Sequence, residues 1–152
     1  MMKIKVDIQR ATNTPDIPEN RQFRKWARTV LSDCDKNTEL TIRIVDEEEG
    51  SELNRKWRKA KGPTNVLSFP YADNKQIADG LLGDIIICAP VIRREALKQK
   101  KSLESHWAHM VIHGTLHLLG YDHIKPEDAG IMEKLEIKLL ESLGYTNPYY
   151  YH

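Results

Sequence analysis

The chain has 152 residues, 40% of them hydrophobic and 30% charged, which suits one soluble globular domain spanning 1–152 with a core of its own. A net charge of +1 excludes a global electrostatic pull on nucleic acid, so any RNA contact must come from a local basic patch. Cys34 and Cys88 lie far apart with no CxxC, which excludes a disulfide framework or zinc ribbon and suits a reducing cytosol, and no signal-peptide core, membrane-length apolar run or internal repeat is visible.

In chain order, Ile4, Val6 and Ile8 alternate with polar residues, the period of a half-buried strand. Residues 13–18 are rich in turn formers, and Pro18 suits a helix start. Phe23, Trp26, Ala27, Val30 and Leu31 then follow helical spacing, so these aromatics belong to the core and form no stacking platform. Leu40, Ile42 and Ile44 mark a second strand. The acidic run 46–49 suits a helix N-terminus, and Leu53 and Trp57 give that helix its apolar face. The densest basic cluster follows, at Arg55, Lys56, Arg58, Lys59 and Lys61, before Gly62 and Pro63 break the helix.

Val66 and Ser68 face one side of a further strand, and Leu67 and Phe69 the other. Pro70 cannot donate to a ladder, which makes this an edge strand. A polar loop covers 71–80. The nearly continuous apolar run 81–88 reads as an interior strand. Asp84 inside it has two readings: a carboxylate satisfied by backbone or a histidine, or an outer support for a metal site. Pro90 opens a helix through about residue 100, and Ser102 caps the next. That helix carries His106, His109, His113 and His117, which fall within about 80° of one another. Pro126, Glu127 and Asp128 begin a last helix with Met132, Leu135, Leu139 and Leu143 on its apolar face and Gly144 behind it. The aromatic tail 149–152 reads as frayed.

Strands alternating with helices, then a run of helices, predict a small α/β or α+β domain. About four strands are expected, mostly parallel because βαβ crossovers favour that, with segment 65–69 as an antiparallel edge. About five helices pack on the sheet, and the metzincin-like histidine helix points its stripe into a cleft along that edge.

The segment 113–123 carries the chemistry. His113 and His117 are four apart, so on a helix they share a face about 6 Å of rise from each other. Gly120 suits the left-handed turn that ends a helix, and lets His123 return as a third ligand. Three imidazoles with a vacant fourth position make a catalytic-type zinc site. The spacing is that of the metzincin pattern HExxHxxGxxH, except that the glutamate after the first histidine is Gly114 here. His106 and His109 read as stripe or cleft residues and not as ligands. The bland alternative for the trio is two core histidines and a loop histidine.

Such an ion lowers the pKa of its water from 15.7 to about 7 and polarises a bound oxygen, which suits hydrolysis. Peptide hydrolysis by zincins needs the glutamate that Gly114 replaces. A phosphodiester needs cations aimed at its non-bridging oxygens, and Arg58 is the favoured one; otherwise the basic run is a solvated face. Asp122, beside the third histidine, is a possible proton acceptor, though a turn-capping aspartate is commoner. Two rival readings stand beside the nuclease: a metalloprotease, and a non-catalytic assembly factor with a structural metal.

The segments LNRKWRKAKGPTNVLSFP (53–70), LLGDIII (81–87) and HWAHMVIHGTLHLLGYDH (106–123) resemble the YbeY family of bacterial endoribonucleases. The resemblance runs over essentially the whole chain and is most specific in the third segment. It implies a cytoplasmic, zinc-bearing metalloprotein that acts on single-stranded RNA. It further implies roles in maturing the 3′ end of the small-subunit (16S) rRNA, in ribosome assembly with the small subunit and its assembly factors, and in ribosome quality control. It assigns the metal ligands to His113, His117 and His123, and the functionally important arginine to Arg58. Gly114 matches the family's own glycine.

Overall fold

In the computed structural model, which describes residues 3–34, 37–71 and 80–149, the alternating apolar segments pair into a single four-stranded sheet. The strands are β1 (Ile4–Ala11), β2 (Thr38–Val45), β3 (Val66–Pro70) and β4 (Leu81–Cys88). Their order is β1-β2-β4-β3, with β1/β2 and β2/β4 parallel and β3/β4 antiparallel. The mixed sheet with one antiparallel edge is the one expected. β4 runs between β2 and β3 and is therefore apolar on both faces, while β3 ends at Pro70 on the sheet's edge.

The helices among the described residues are α1 (Asn20–Leu31), α2 (Glu47–Arg58), α3 (Ala89–Lys98), α4 (Leu103–Leu118) and α5 (Pro126–Ser142). α1 begins two residues beyond Pro18, where Glu19 and Gln22 form a reciprocal capping box. Glu47, Glu48 and Glu49 fill the first turn of α2, where the exposed backbone N–H groups favour negative charge. Arg43 holds the last of them, Glu49, through two hydrogen bonds of 2.6 and 3.0 Å. The helix stops at Arg58, before Gly62 and Pro63 can break it. Lys59 takes the left-handed cap at φ 56°, and Asn54 ties the following loop back by donating to the Gly62 carbonyl at 2.7 Å.

Burial follows strand alternation. Leu40, Ile42 and Ile44 of β2 and Ile85 and Ile87 of β4 face α1 and α4, where Phe23, Trp26 and Trp107 are all but fully buried. Phe23 meets both tryptophans edge-on, at 5.8 and 5.5 Å between ring centres. The opposite face carries a smaller cluster, Val45, Leu67, Ile86, Cys88 and Val91, beneath α2 and α3. Trp57 departs from its expected place on the apolar face of α2, being 59% exposed. It stands in the last turn, beyond the buried Gly50 and half-buried Leu53 that seat α2 on the sheet. No helix among the described residues is long and apolar enough to cross a membrane. Most of the polar loop (72–79) and the end of the tail (150–152) lie outside the described residues.

Candidate metal centre

α4 begins at Ser102, whose hydroxyl accepts from the Ser105 N–H at 3.1 Å, and runs sixteen residues to Leu118. Its close seat on the sheet depends on Gly114. A Cβ there would lie 2.9 Å from Ile85 Cγ2 and 3.3 Å from both Ser68 Oγ and Val66 Cγ2. The Ser68 hydroxyl donates to the Gly114 carbonyl at 3.2 Å. The glycine is thus a contact surface: position 114 faces the sheet and has no room for the side chain that metzincins carry. With Gly114 against β3 and β4, His113 and His117 are turned out along the sheet's edge.

The helix ends as the sequence requires. Gly120 adopts φ 102°, its N–H donates to the His117 carbonyl at 3.0 Å, and the Tyr121 N–H returns to the Leu116 carbonyl at 3.1 Å. The chain then doubles back. Asp122 Oδ1 accepts from the N–H groups of His123 and Ile124, at 2.6 and 3.1 Å, and so serves the turn. This places the His123 ring 5.4 Å from His113 and 5.0 Å from His117, with His113 and His117 4.6 Å apart. One nitrogen from each lies within 4.8 Å of the others, and no fourth ligand joins the group among the described residues.

Donor chemistry tests whether this trio fits a cation. Glu136, on α5 and fully buried, receives the His113 Nδ1 proton at 2.6 Å and the His109 Nε2 proton at 3.3 Å. Burial alone would raise the Glu136 pKa. The hydrogen bonds from His109 and His113 outweigh it and hold the carboxyl well below its ordinary range, at about 2. An ionised carboxylate only accepts, so His113 carries a proton on Nδ1, and in the neutral ring Nε2 is then the nitrogen with the lone pair. That Nε2 lies 3.1 Å from His117 Nε2. Two nitrogens of a tetrahedral zinc site stand about 3.3 Å apart if each bond is about 2.05 Å. Burial first, and then the neighbouring His113 and His123, push the His117 pKa down, which favours the neutral ring a metal requires. The residues present fit a divalent ion held by three imidazoles.

The trio opens into a cleft of about 720 Å³ along β3. Its opposite wall is the end of α2, with Arg58 as the one arginine or lysine lining it among the described residues. Arg58 is exposed and makes no hydrogen bond or ion pair among those residues. Arg55, Lys59 and Lys61 line a separate cavity beside α2, so the basic cluster does not act as one patch toward the histidines. Trp57 and Phe69 form an edge-on pair, 5.9 Å between ring centres, at the rim of the cleft.

Elsewhere the sequence reading needs correction. Asp84 sits on β4 in step with Ile86 and Cys88, on the face away from the Ile85 that meets α4. It therefore supports no histidine, and burial pushes its carboxyl up. The carboxylate that meets the histidine stripe is Glu136, paired with His109 and His113, which the sequence reading missed. Its signal was a charged residue on the buried stripe Met132, Glu136, Leu140 of α5. Tyr149 is not frayed: its hydroxyl donates to Glu136 Oε2, and its ring meets His109 edge-on at 5.4 Å. His106 lies on the buried stripe and pairs with Glu95 at 2.9 Å.

The family model for "Endoribonuclease YbeY" matches residues 7–144, nearly the whole chain. The chain belongs to the YbeY endoribonuclease family. Membership places it among metal-dependent endoribonucleases of rRNA processing, the class that the histidine cluster suits. The solution structure of TM1509 from Thermotoga maritima shares the fold, with a TM-score of 0.62 and 23% identity over 94% of this chain and 89% of that one.

Proposed function

We propose that this YbeY-family chain is a zinc-dependent, single-strand-specific endoribonuclease of the cytoplasm, acting on the 3′ end of the small-subunit rRNA and, through the same cut, in ribosome assembly and quality control. The observation that carries the proposal is the convergence of His113, His117 and His123 on a cleft whose facing wall bears Arg58. His113, His117 and His123 are the proposed metal ligands. Zinc, when bound, supplies Lewis acidity toward a phosphodiester oxygen and an acidified water.

The chain's own residues do the rest. The Arg58 guanidinium, exposed and unpaired among the described residues, clamps the non-bridging oxygens on which charge accumulates during cleavage. Trp57 and Phe69 at the rim give unpaired bases a stacking surface, a device that double-stranded RNA cannot use. β3 offers its outer backbone edge to an extended strand. Asp122 is engaged by its own turn and carries no proton in this scheme. With so few cations in the cleft, intrinsic RNA affinity is weak, and the small ribosomal subunit or an assembly factor delivers the substrate. Peptide hydrolysis is disfavoured because Gly114 abuts the sheet.

The test is cleavage of single-stranded RNA by wild type, His117→Ala and Arg58→Ala, with zinc content measured on each. His117→Ala should lose metal and activity together. Arg58→Ala should keep its metal and lose about 10²–10³ in rate. Full activity in Arg58→Ala removes it from the mechanism. RNA binding that survives chelation, with no cleavage when zinc is present, supports the assembly-factor reading instead. A 2′,3′-cyclic phosphate on the product identifies the RNA's own 2′-hydroxyl as nucleophile.

A further inference from the structure

Behind the three cleft histidines lies a second cluster that the proposed reaction does not use: His109, Glu136 and Tyr149. Glu136 is fully buried and both its oxygens are occupied, Oε1 by His113 and Oε2 by His109 and the Tyr149 hydroxyl. A carboxylate buried on this scale is costly unless several donors satisfy it, and these three do so. His109 is itself 7% exposed and stacked edge-on against Tyr149, so two of the three donors are fixed by packing. The remaining one is His113.

We infer that Glu136 is a positioning residue of the metal centre, and that Tyr149 is the tether holding it in place, so that the segment following α5 is part of the site. This inference rests on reading His113, His117 and His123 as metal ligands. Glu136 keeps the His113 proton on Nδ1, fixes the ring plane, and leaves Nε2 aimed at the cleft beside His117 Nε2. The segment is pinned at two points. Tyr145 donates to Glu104 at 2.7 Å, at the start of α4, and Tyr149 reaches Glu136. The tether therefore spans α4 from its first turn to the helical turn before His113.

Two measurements test it. Zinc affinity is read by chelator competition on wild type, Glu136→Gln, Glu136→Asp and Tyr149→Phe, alongside the melting temperature of each metal-free protein. Glu136→Gln should weaken zinc binding about 10–100-fold, Glu136→Asp should recover part of the loss, and Tyr149→Phe should weaken binding less than Glu136→Gln. Long-range proton–nitrogen NMR on the metal-free wild type should show His113 protonated on Nδ1. A purely structural role would lower the melting temperature and leave affinity within about twofold, which overturns the inference. So does a His113 proton found on Nε2, a result that needs no variant to fold. A wild type that binds no zinc overturns the ligand reading itself, and is distinguished by the failure of every protein in the series alike.

Discussion

At its N-terminal half α4 turns His106 and His109 inward, 2% and 7% exposed, and pairs each with a carboxylate, Glu95 and Glu136. At its C-terminal half the same stripe carries His113 and His117, both half-buried, whose Nε2 atoms meet each other 3.1 Å apart at the cleft. Residue type and helical spacing are shared by the two halves. What differs is what packs over them: α3 and α5 cover the first pair, while β3 and the returning loop leave the second pair open. A buried imidazole stabilises the fold through its partner, whereas an open one with its far nitrogen held keeps a lone pair for a ligand. His113 belongs to both regimes, with Nδ1 on Glu136 and Nε2 toward the cleft.

Substituting one histidine from each half breaks the comparison most sharply. His117→Ala should abolish stoichiometric zinc binding and RNA cleavage while moving the melting temperature of the metal-free protein by less than about 2 °C. His106→Ala should do the reverse. It removes a buried ring and strips Glu95 of a partner, at about 2 kcal/mol, which lowers the melting temperature by roughly 4–8 °C. Its zinc affinity should stay within about threefold of wild type. Equal losses of stability, or equal losses of metal, in the two variants would erase the distinction between the halves.

The same contrast explains what was legible in the sequence. His113, His117, Gly120 and His123 lie within eleven residues, so helical geometry and one left-handed glycine bring them together with little help from the rest of the fold. The antiparallel edge strand and the interior strand were legible too, because Pro70 marks an edge and the apolar run 81–88 marks an interior strand. Glu136 and Tyr149 were not found, since their contact with α4 depends on how α5 and the segment beyond it dock, which no local period encodes. Asp84 was given a possible role at the site because it stands out in an apolar run. Strand alternation sends it to the other face of the sheet. Trp57 matched a helical stripe, but its turn of α2 projects past the sheet.

Trp57 sharpens the comparison on the open side. If its exposure serves unpaired bases, Trp57→Ala should raise KM for a single-stranded substrate about 5–10-fold, in line with about 1–3 kcal/mol per stacked base. The melting temperature and zinc content should hold, because the ring is not in the core. A drop in kcat with unchanged KM would instead place the ring's role in the chemical step and remove the stacking surface from the account.

The smallest expected effect lies on the covered side, in the acid limb of stability. Burial raises the pKa of Glu95, but its hydrogen bonds to His106 and Asn65 outweigh burial and hold it below the ordinary value of 4.5. A carboxyl depressed in the folded state contributes stability that is fully present above its unfolded pKa and is lost as pH falls through its folded pKa. In metal-free protein, where histidine protonation cannot act by releasing zinc, the wild-type melting temperature should exceed that of Glu95→Gln above about pH 5. The gap should close as pH falls below 4.5, because wild type is then neutralised as the variant already is. Glu136 and Asp46, also depressed, titrate in both proteins and cancel in the difference. A gap that stays constant across this range would mean that the Glu95 charge is not what His106 and Asn65 hold, and that the covered histidines stabilise α4 by packing alone.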